Sequence, residues 1–191
     1  MRLAVLVSGS GTLLDAMVRA DLPIALVVAD RTCRGLELVE RSTAPSVLLE
    51  RKEWGPGFDR NDYSARLTDL LVEHEIDLVA MAGFGTILAE PMFAAFPGRI
   101  INTHPALLPA FPGWHAVAAA LEHGVKVTGC TIHVATPVVD DGPILAQEAV
   151  AVEPDDTEAA LHERIKVVER RLYIDTLLTI HARGRVLDTA I

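Results

Sequence analysis

Aromatic residues are scarce in this chain of 191 residues: 5% are Phe, Trp or Tyr, although half of all residues are hydrophobic. Ala, Val and Leu must therefore supply most of the core, as is usual where the strands of a parallel sheet are buried on both faces. The length suits one domain with a substantial core, so we expect a single domain over 1–191.

Runs of basic residues are also missing, and the formal net charge is −9. Proteins that bind duplex DNA or tRNA need a basic face that displaces counterions from the phosphates. We therefore expect no nucleic-acid partner, while a pocket for a single phosphate group stays open.

Cysteine is nearly absent, and long apolar runs are missing. Cys33 and Cys130 stand alone without CxxC spacing, which argues against a disulfide scaffold or a cysteine zinc site. No histidine has HxH or HxxxH spacing, so we expect no metal. The apolar segments 3–14 and 78–89 are too short to span a bilayer, and the run 3–7 is too short for a signal peptide. We expect a cytoplasmic protein without a membrane partner.

Short apolar runs alternate with helical patterns through the first two thirds of the sequence. The predicted strands are 3–7, 24–29, 46–49, 77–82 and 100–103, and the predicted helices are 12–19, 33–41, 61–75 and 91–96. This βαβ alternation predicts an α/β fold with a doubly wound, Rossmann-like, mostly parallel sheet.

The pattern changes in the last third of the chain. Strands are predicted at 126–134 and 144–152 after a helix at 117–122, and the loop 136–143 is too short for a helical crossover, so this pair should be antiparallel. A long last helix should begin near Asp155, which has capping-box spacing to Glu158, and end at Gly184. Its predicted apolar stripe comprises Leu161, Ile165, Val168 and Leu172.

A glycine-rich turn, Ser8-Gly9-Ser10-Gly11-Thr12, follows the first strand. Such glycines let backbone N–H groups approach a phosphate, and the helix N-terminus favours its negative charge; the alternative is a plain tight turn. Leu14 stands where a dinucleotide fingerprint needs its third glycine, and no Lys follows as in a Walker loop. A monophosphate is the favoured ligand.

The strongest candidate site leaves the carboxyl end of the fifth strand, in the segment 102–113, NTHPALLPAFPG. Open α/β sheets place their sites at this edge. Asn102 and His104 are two residues apart, so on an extended segment their side chains share one face. A carboxamide beside an imidazole suits a developing oxyanion.

A third candidate is Asp140, in the loop segment Asp140-Asp141-Gly142-Pro143. An aspartate near a histidine can hold it protonated or relay a proton through water, and the alternative is an ordinary Asp-Gly turn. His133 lies upstream of this loop, on the predicted strand 126–134. It could contact the site or lie on a buried face.

These segments together resemble the formyltransferase family that uses 10-formyltetrahydrofolate, above all its members that formylate glycinamide ribonucleotide. The motifs that carry the resemblance are SGSGT at 8–12, AGFGTIL at 82–88, NTHPALLPAFPG at 102–113 and GCTIHVATPVVDDGPILAQ at 129–147. The resemblance extends over nearly the whole chain. It implies a transferase of purine biosynthesis with 10-formyltetrahydrofolate as cosubstrate, glycinamide ribonucleotide as substrate and no metal.

The resemblance also implies a role for each site residue. Asn102 should bond the formyl oxygen, His104 as imidazolium should stabilise the oxyanion, and Asp140 should hold His104 protonated and order a water that takes the amine proton. The implied substrate-binding residues are Ser10, Gly11, Thr12, Leu13, Lys166 and Glu169. In the alternative interpretation Lys166 and Glu169 form only a solvated ion pair on the last helix. The implied folate-binding residues are Arg60, Phe84, Gly85, Thr86, Ile87, Leu88, Asn102, Val139 and Asp140. The bond between Leu108 and Pro109 should be cis.

Two segments depart from the family pattern. Family members commonly carry Ser-Asn where this chain has Thr12-Leu13, and Phe-Met-Arg-Ile-Leu where it has Phe84-Gly85-Thr86-Ile87-Leu88. Neither departure touches the three catalytic residues.

Several alternatives stay open at this point. A methionyl-tRNA formyltransferase shares the fold but carries a further C-terminal domain and a basic surface. A formyltetrahydrofolate hydrolase uses the same three residues on water and usually has an extra N-terminal domain, whereas this chain begins close to its first strand. A non-catalytic ribonucleotide-binding module would not need all three residues, and a nicotinamide oxidoreductase is disfavoured by the missing third glycine. The chain could be a monomer or a homodimer.

Overall fold

The computed structural model describes residues 1–39, 44–53 and 55–187, and within them the chain forms seven strands and six helices. The strands are β1 (Leu3–Val7), β2 (Ile24–Ala29), β3 (Ser46–Leu48), β4 (Leu78–Met81), β5 (Ile100–His104), β6 (Val127–Val134) and β7 (Ile144–Ala151). The helices are α1 (Thr12–Arg19), α2 (Arg34–Val39), α3 (Arg60–Glu73), α4 (Glu90–Ala95), α5 (Ala116–His123) and α6 (Glu158–Arg183). The last two residues of the predicted helix 33–41 lie outside the described residues.

The chain divides into two compact units, Met1–Ile101 and Asn102–Ile191. The single domain expected from the length stays a prediction. Strand β5 crosses the boundary, so its first two residues belong to the first unit and its last three to the second.

The first unit holds a parallel sheet in the strand order β3-β2-β1-β4-β5. Every residue of β1 and of β4 is buried, as expected for strands covered on both faces. The chain order reverses between β1 and β4, and α/β proteins bind ligands outside the carboxyl ends of the strands at such a switch point. This order confirms the predicted Rossmann-like class.

The second unit has the strand order β5-β6-β7, in which β6 and β7 are antiparallel as predicted. Their register runs from Val127 opposite Ala151 to His133 opposite Ile144. Helix α6, with 26 residues, ends at Arg183, and Gly184 caps it in the left-handed region, as predicted. The Leu108–Pro109 peptide bond is cis, which the family resemblance implied.

The start of α6 differs from the prediction. Thr157, and not Asp155, caps the helix, because the Thr157 hydroxyl accepts the N–H of Ala160 at 3.2 Å. Asp156 beside it is held by Arg164, whose Nη1 donates to it at 2.8 Å. This ion pair fixes the turn before the helix, so the helix begins two residues later than a capping box at Asp155 would place it.

The buried stripe of α6 also differs from the predicted one. Leu161 and Ile165 are buried as predicted, but Val168 and Leu172 are only partly buried, and the stripe continues through Tyr173, Leu177 and Ile180. Glu169 lies four residues from both Ile165 and Tyr173, which places it on the same face of the helix. A carboxylate therefore occupies the middle of an otherwise apolar stripe.

Candidate active site

Strand β5 presents the central residues of the candidate site. It ends at His104, one residue beyond the prediction, so Asn102 and His104 both belong to a regular strand. Their side chains project to one face of the strand, and Thr103 between them projects to the other. The extended backbone of β5 thus places the Asn102 and His104 side chains on one face, as predicted.

The His104 ring is buried, with 5% of its side chain exposed, and an oxygen faces each of its nitrogens. Nδ1 lies 3.2 Å from Oδ2 of Asp140, and Nε2 lies 2.7 Å from the carbonyl oxygen of Phe111. Both oxygens accept hydrogen bonds and neither donates. The surroundings therefore suit a ring that carries a proton on each nitrogen.

The Asp140 carboxylate faces three residues of the second unit. Oδ2 accepts the N–H of Gly113 at 2.8 Å as well as facing His104, and Oδ1 lies 3.6 Å from Nε2 of His133. Burial raises the pKa of Asp140, but His133, the Gly113 N–H and His104 outweigh burial, so the pKa lies below its ordinary value. Asp140 is therefore an anion at neutral pH.

His133 belongs to the same network, which settles the two interpretations that the sequence left open. Its Nδ1–H donates to the Val134 carbonyl oxygen at 3.1 Å, and its Nε2 lies 3.3 Å from Nδ2 of Asn102. In the neutral ring Nε2 accepts an N–H from Asn102, whereas in the charged ring Nε2–H points to Asp140. The only sequence signal for this role is the position of His133 one residue before β6 ends.

The loop after β6 has a backbone that fixes the position of Asp140. Asp140 itself has a φ of 58°, in the left-handed region that Asp tolerates better than most residues. A Cβ at Gly142 would lie 1.7 Å from the carbonyl oxygen of Val134, so only glycine fits there. The Asp-Gly turn that the sequence suggests is therefore the same loop that places Asp140 beside His104.

Glu169 lies beside the opposite face of β5. Its carboxylate accepts the hydroxyl of Thr103 at 3.0 Å, and Sγ of Cys130 lies 3.4 Å from the same hydroxyl. Burial raises the pKa of Glu169, and the hydrogen bond from Thr103 opposes part of that rise. Lys166 forms its ion pair with Glu163, at 2.8 Å, rather than with Glu169.

The glycine-rich turn of the first unit contains the predicted phosphate ligands. Gly11 has a φ of 70°, and a Cβ there would lie 2.6 Å from Cα of Gly35, so glycine is required. Within the described residues no side chain caps α1, which leaves the N–H groups of its first turn to a ligand or water. Ser10 and Thr12 are exposed, whereas the Leu13 side chain is buried and can offer a ligand only its backbone.

The loop 82–88 of the first unit turns part of its sequence inward. Phe84 and Leu88 are buried, and the buried Thr86 donates its hydroxyl to Asp30 at 2.8 Å. Ile87 is exposed, as are two further predicted folate ligands, Arg60 at the start of α3 and Val139 in the second unit. The hydroxyl of Thr86 is thus occupied within the protein.

Neither a metal cluster nor a membrane-spanning helix occurs in the part of the chain that the structure describes. It contains no group of three or more His, Cys, Asp or Glu side chains that could hold a metal ion. No helix in the described ranges is long and apolar enough to cross a membrane. Cys33 and Cys130 are free thiols.

Comparison with known proteins gives consistent results. The profile of the formyl transferase family matches residues 1–177. The phosphoribosylglycinamide formyltransferase of Mycobacterium tuberculosis H37Rv is 45% identical over 188 residues, which cover 96% of this chain and 86% of that protein. The enzyme of the same name from Bacillus subtilis 168 is 35% identical over 193 residues, covering 96% of this chain and 97% of that protein.

The crystal structure of glycinamide ribonucleotide transformylase 1 from Symbiobacterium toebii has a TM-score of 0.89 to this chain at 41% identity, covering 97% of this chain and 89% of that chain. The chain therefore belongs to the formyl transferase family, whose members use a folate-derived formyl donor. The relatives from M. tuberculosis and B. subtilis both carry the name phosphoribosylglycinamide formyltransferase.

Proposed function

We propose that the chain transfers the formyl group of 10-formyltetrahydrofolate to the amine of glycinamide ribonucleotide, yielding formylglycinamide ribonucleotide and tetrahydrofolate in purine biosynthesis. The observation that carries the proposal is the buried His104–Asp140 pair. Asn102 lies two residues before His104 on β5. Family membership supports the same reaction.

The ligands have separate sets of candidate residues. The ribonucleotide phosphate binds the backbone of Ser10, Gly11, Thr12 and Leu13, where the N–H groups of α1 have no capping side chain. Glu169 accepts the ribose hydroxyls, with Lys166 beside it. The folate binds Arg60, Phe84, Gly85, Thr86, Ile87, Leu88, Val139 and Asp140, with Asn102 at the formyl group.

The oxyanion is stabilised by two side chains of β5. The amine nitrogen attacks the formyl carbon, and the carbonyl electron pair moves onto oxygen. Asn102 has two N–H groups, so it can keep one on His133 and donate the other to this oxygen. Charged His104 stabilises the oxyanion, and can donate Nε2–H to it once that N–H leaves the Phe111 carbonyl.

Asp140 supports the proton transfers. Because its pKa is low, the carboxylate stays ionised. Its negative charge lies 3.2 Å from Nδ1 of His104, where it would stabilise an imidazolium during the reaction. A water at Asp140 takes the proton from the attacking amine. Collapse of the tetrahedral intermediate breaks the carbon–nitrogen bond to the folate. The leaving nitrogen takes up the proton that the amine lost, which the water and His104 relay to it.

The test is an absorbance assay for folate product, run with and without glycinamide ribonucleotide. Product only with the nucleotide is the expected result; product without it would indicate a hydrolase, and no product would indicate a binding module. Asn102→Ala and His104→Ala should each lower turnover by about 10²–10³-fold. His181→Ala, which changes an exposed histidine on α6, is the matched control. Near-full turnover in either site variant would refute the assignment.

A further inference from the structure

The first unit has a buried carboxylate of its own, Asp30, outside the proposed catalytic residues. Asp30 follows β2 directly, and none of its surface is exposed. Arg31 donates to both carboxylate oxygens, from Nε at 2.9 Å and from Nη2 at 3.0 Å, and the Thr86 hydroxyl donates at 2.8 Å. Burial raises the pKa of Asp30, but hydrogen bonds from Arg31, Thr86 and Ser8 outweigh burial and lower it. Asp30 is therefore a fixed anion.

Ser8 connects this anion to the backbone of the loop 82–88. Its hydroxyl accepts the N–H of Gly85 at 2.6 Å, and Ser8 is among the residues that lower the pKa of Asp30. Two consecutive residues of the loop are thus anchored, Gly85 through its main chain and Thr86 through its side chain. Ser8 follows β1 and Asp30 follows β2, so both lie at the carboxyl edge of the sheet, and β1 borders the point at which the chain order reverses.

The glycine at position 85 is explained by Arg31. The φ of Gly85 lies outside the left-handed region, so the backbone does not demand glycine. A Cβ there would lie 3.0 Å from Nη2 of Arg31, closer than ordinary van der Waals contact. Because Asp30 holds the guanidinium at two points, Arg31 cannot yield easily. Arg31 therefore occupies the space that a side chain at 85 would need.

We infer that Asp30 is a positioning residue for the formyl donor, acting through Ser8, Arg31 and Thr86 on the loop 82–88. The inference rests on the proposed function, which assigns residues 84–88 to the folate. It also gives a reason for the Gly85-Thr86 pair. Gly85 leaves room for the guanidinium, and Thr86 supplies a hydroxyl to the carboxylate, so the four residues 30, 31, 85 and 86 form one matched set.

The direct test compares Thr86→Val and Asp30→Asn with Thr68→Val. The control removes a hydroxyl that donates to the Ser64 carbonyl within α3. Thr86→Val should raise KM for 10-formyltetrahydrofolate about tenfold, the loss expected for one hydrogen bond to a charged group. Asp30→Asn should raise it at least as much, because it also weakens the two contacts from Arg31. In both variants kcat should stay within twofold of wild type. The double variant should be less impaired than the product of the two single effects, because both remove the same contact.

Hydrogen exchange in the ligand-free protein supplies a measurement that does not depend on turnover. The amide of Gly85 should exchange at least tenfold faster in Asp30→Asn than in wild type, and the Thr68→Val control should not change it. A purely structural role would instead lower the melting temperature and kcat with KM unchanged, and that result would overturn the inference. A wild-type protein without formyl transfer would overturn the proposed function and this inference with it.

Gly85→Ala tests the matched set by adding a side chain at position 85 instead of removing a contact of Asp30. The variant should raise KM for the donor severalfold, and adding Arg31→Ala should recover part of the loss because the guanidinium no longer occupies the space. If the double variant were as impaired as the product of the single effects, residue 85 would not be matched to Arg31.

Discussion

Replacing Thr103 by Val removes one hydroxyl and nearly preserves the shape of the side chain. Thr103 donates that hydroxyl to the buried carboxylate of Glu169 at 3.0 Å. A hydrogen bond to a charged group contributes about 1.5–3 kcal/mol to stability, whereas one between neutral groups contributes about 0.5–1.5 kcal/mol. Thr103→Val should therefore cost about 1.5–3 kcal/mol when Glu169 is ionised and about 1 kcal/mol when it is protonated.

The sign of the pH dependence follows from the pKa of Glu169, which burial raises above its ordinary value. A carboxyl group with a raised pKa favours the fold while it is protonated, and this contribution is lost as the pH rises through the folded-state pKa. Without the Thr103 hydroxyl the pKa rises further, so the loss on the alkaline side becomes larger. The difference in unfolding free energy between wild type and variant should grow from acidic to alkaline pH.

Urea unfolding followed by circular dichroism, at about pH 5 and about pH 8, measures this difference. The control is Thr176→Val in α6, because the Thr176 hydroxyl donates to the neutral carbonyl of Leu172 at 2.7 Å. Its cost should be the same at both pH values. A Thr103→Val cost that did not change with pH, or that was larger at about pH 5, would refute an ionised Glu169 as the partner of Thr103.

Two further predictions concern the loop that carries Asp140. Because the pKa of Asp140 is lowered in the fold, its carboxylate stabilises the protein above the unfolded-state value of about 4, and this stability is lost as the pH falls through the lower folded-state pKa. Asp140→Asn should therefore reduce the slope of unfolding free energy against pH on the acid side. Urea titrations in steps between about pH 2 and about pH 5 measure this slope, and an unchanged slope would contradict the reasoning. Gly142→Ala should cost about 3 kcal/mol, because its Cβ would lie 1.7 Å from the Val134 carbonyl oxygen. Gly124→Ala, at a left-handed glycine with open space around it, should cost only about 1 kcal/mol, and equal losses in thermal unfolding would contradict the steric argument.

The periodicity of the sequence predicts most of the fold because apolar residues repeat as strands and helices require. It places the ends of elements less well, since these depend on side-chain contacts that periodicity does not contain. The start of α6 is the clearest case. Asp155 has the spacing of a capping box, but the contact of Asp156 with Arg164 moves the cap to Thr157.

Sequence reasoning brings Asn102, His104 and Asp140 to one site, and the structure joins them through His133. The role of His133 could not be predicted because β6 is buried throughout its second half, where a histidine fits either a site or a core. The burial of Glu169 could not be predicted from the sequence either. A charged residue on a helix is read as solvent-facing, and only the packing of α6 reveals that this one lies in the buried stripe.

The Glu169 carboxylate in the buried stripe of α6 creates a trade-off between thermal stability and activity. Replacing Glu169 by Leu together with Thr103 by Val would complete the row from Leu161 to Ile180 and remove a buried charge together with its hydrogen-bond donor, changes that commonly stabilise proteins. The same change would remove the proposed ribose ligand. Selection or engineering for heat resistance alone would therefore favour a protein that outlasts the natural one and no longer recognises its nucleotide.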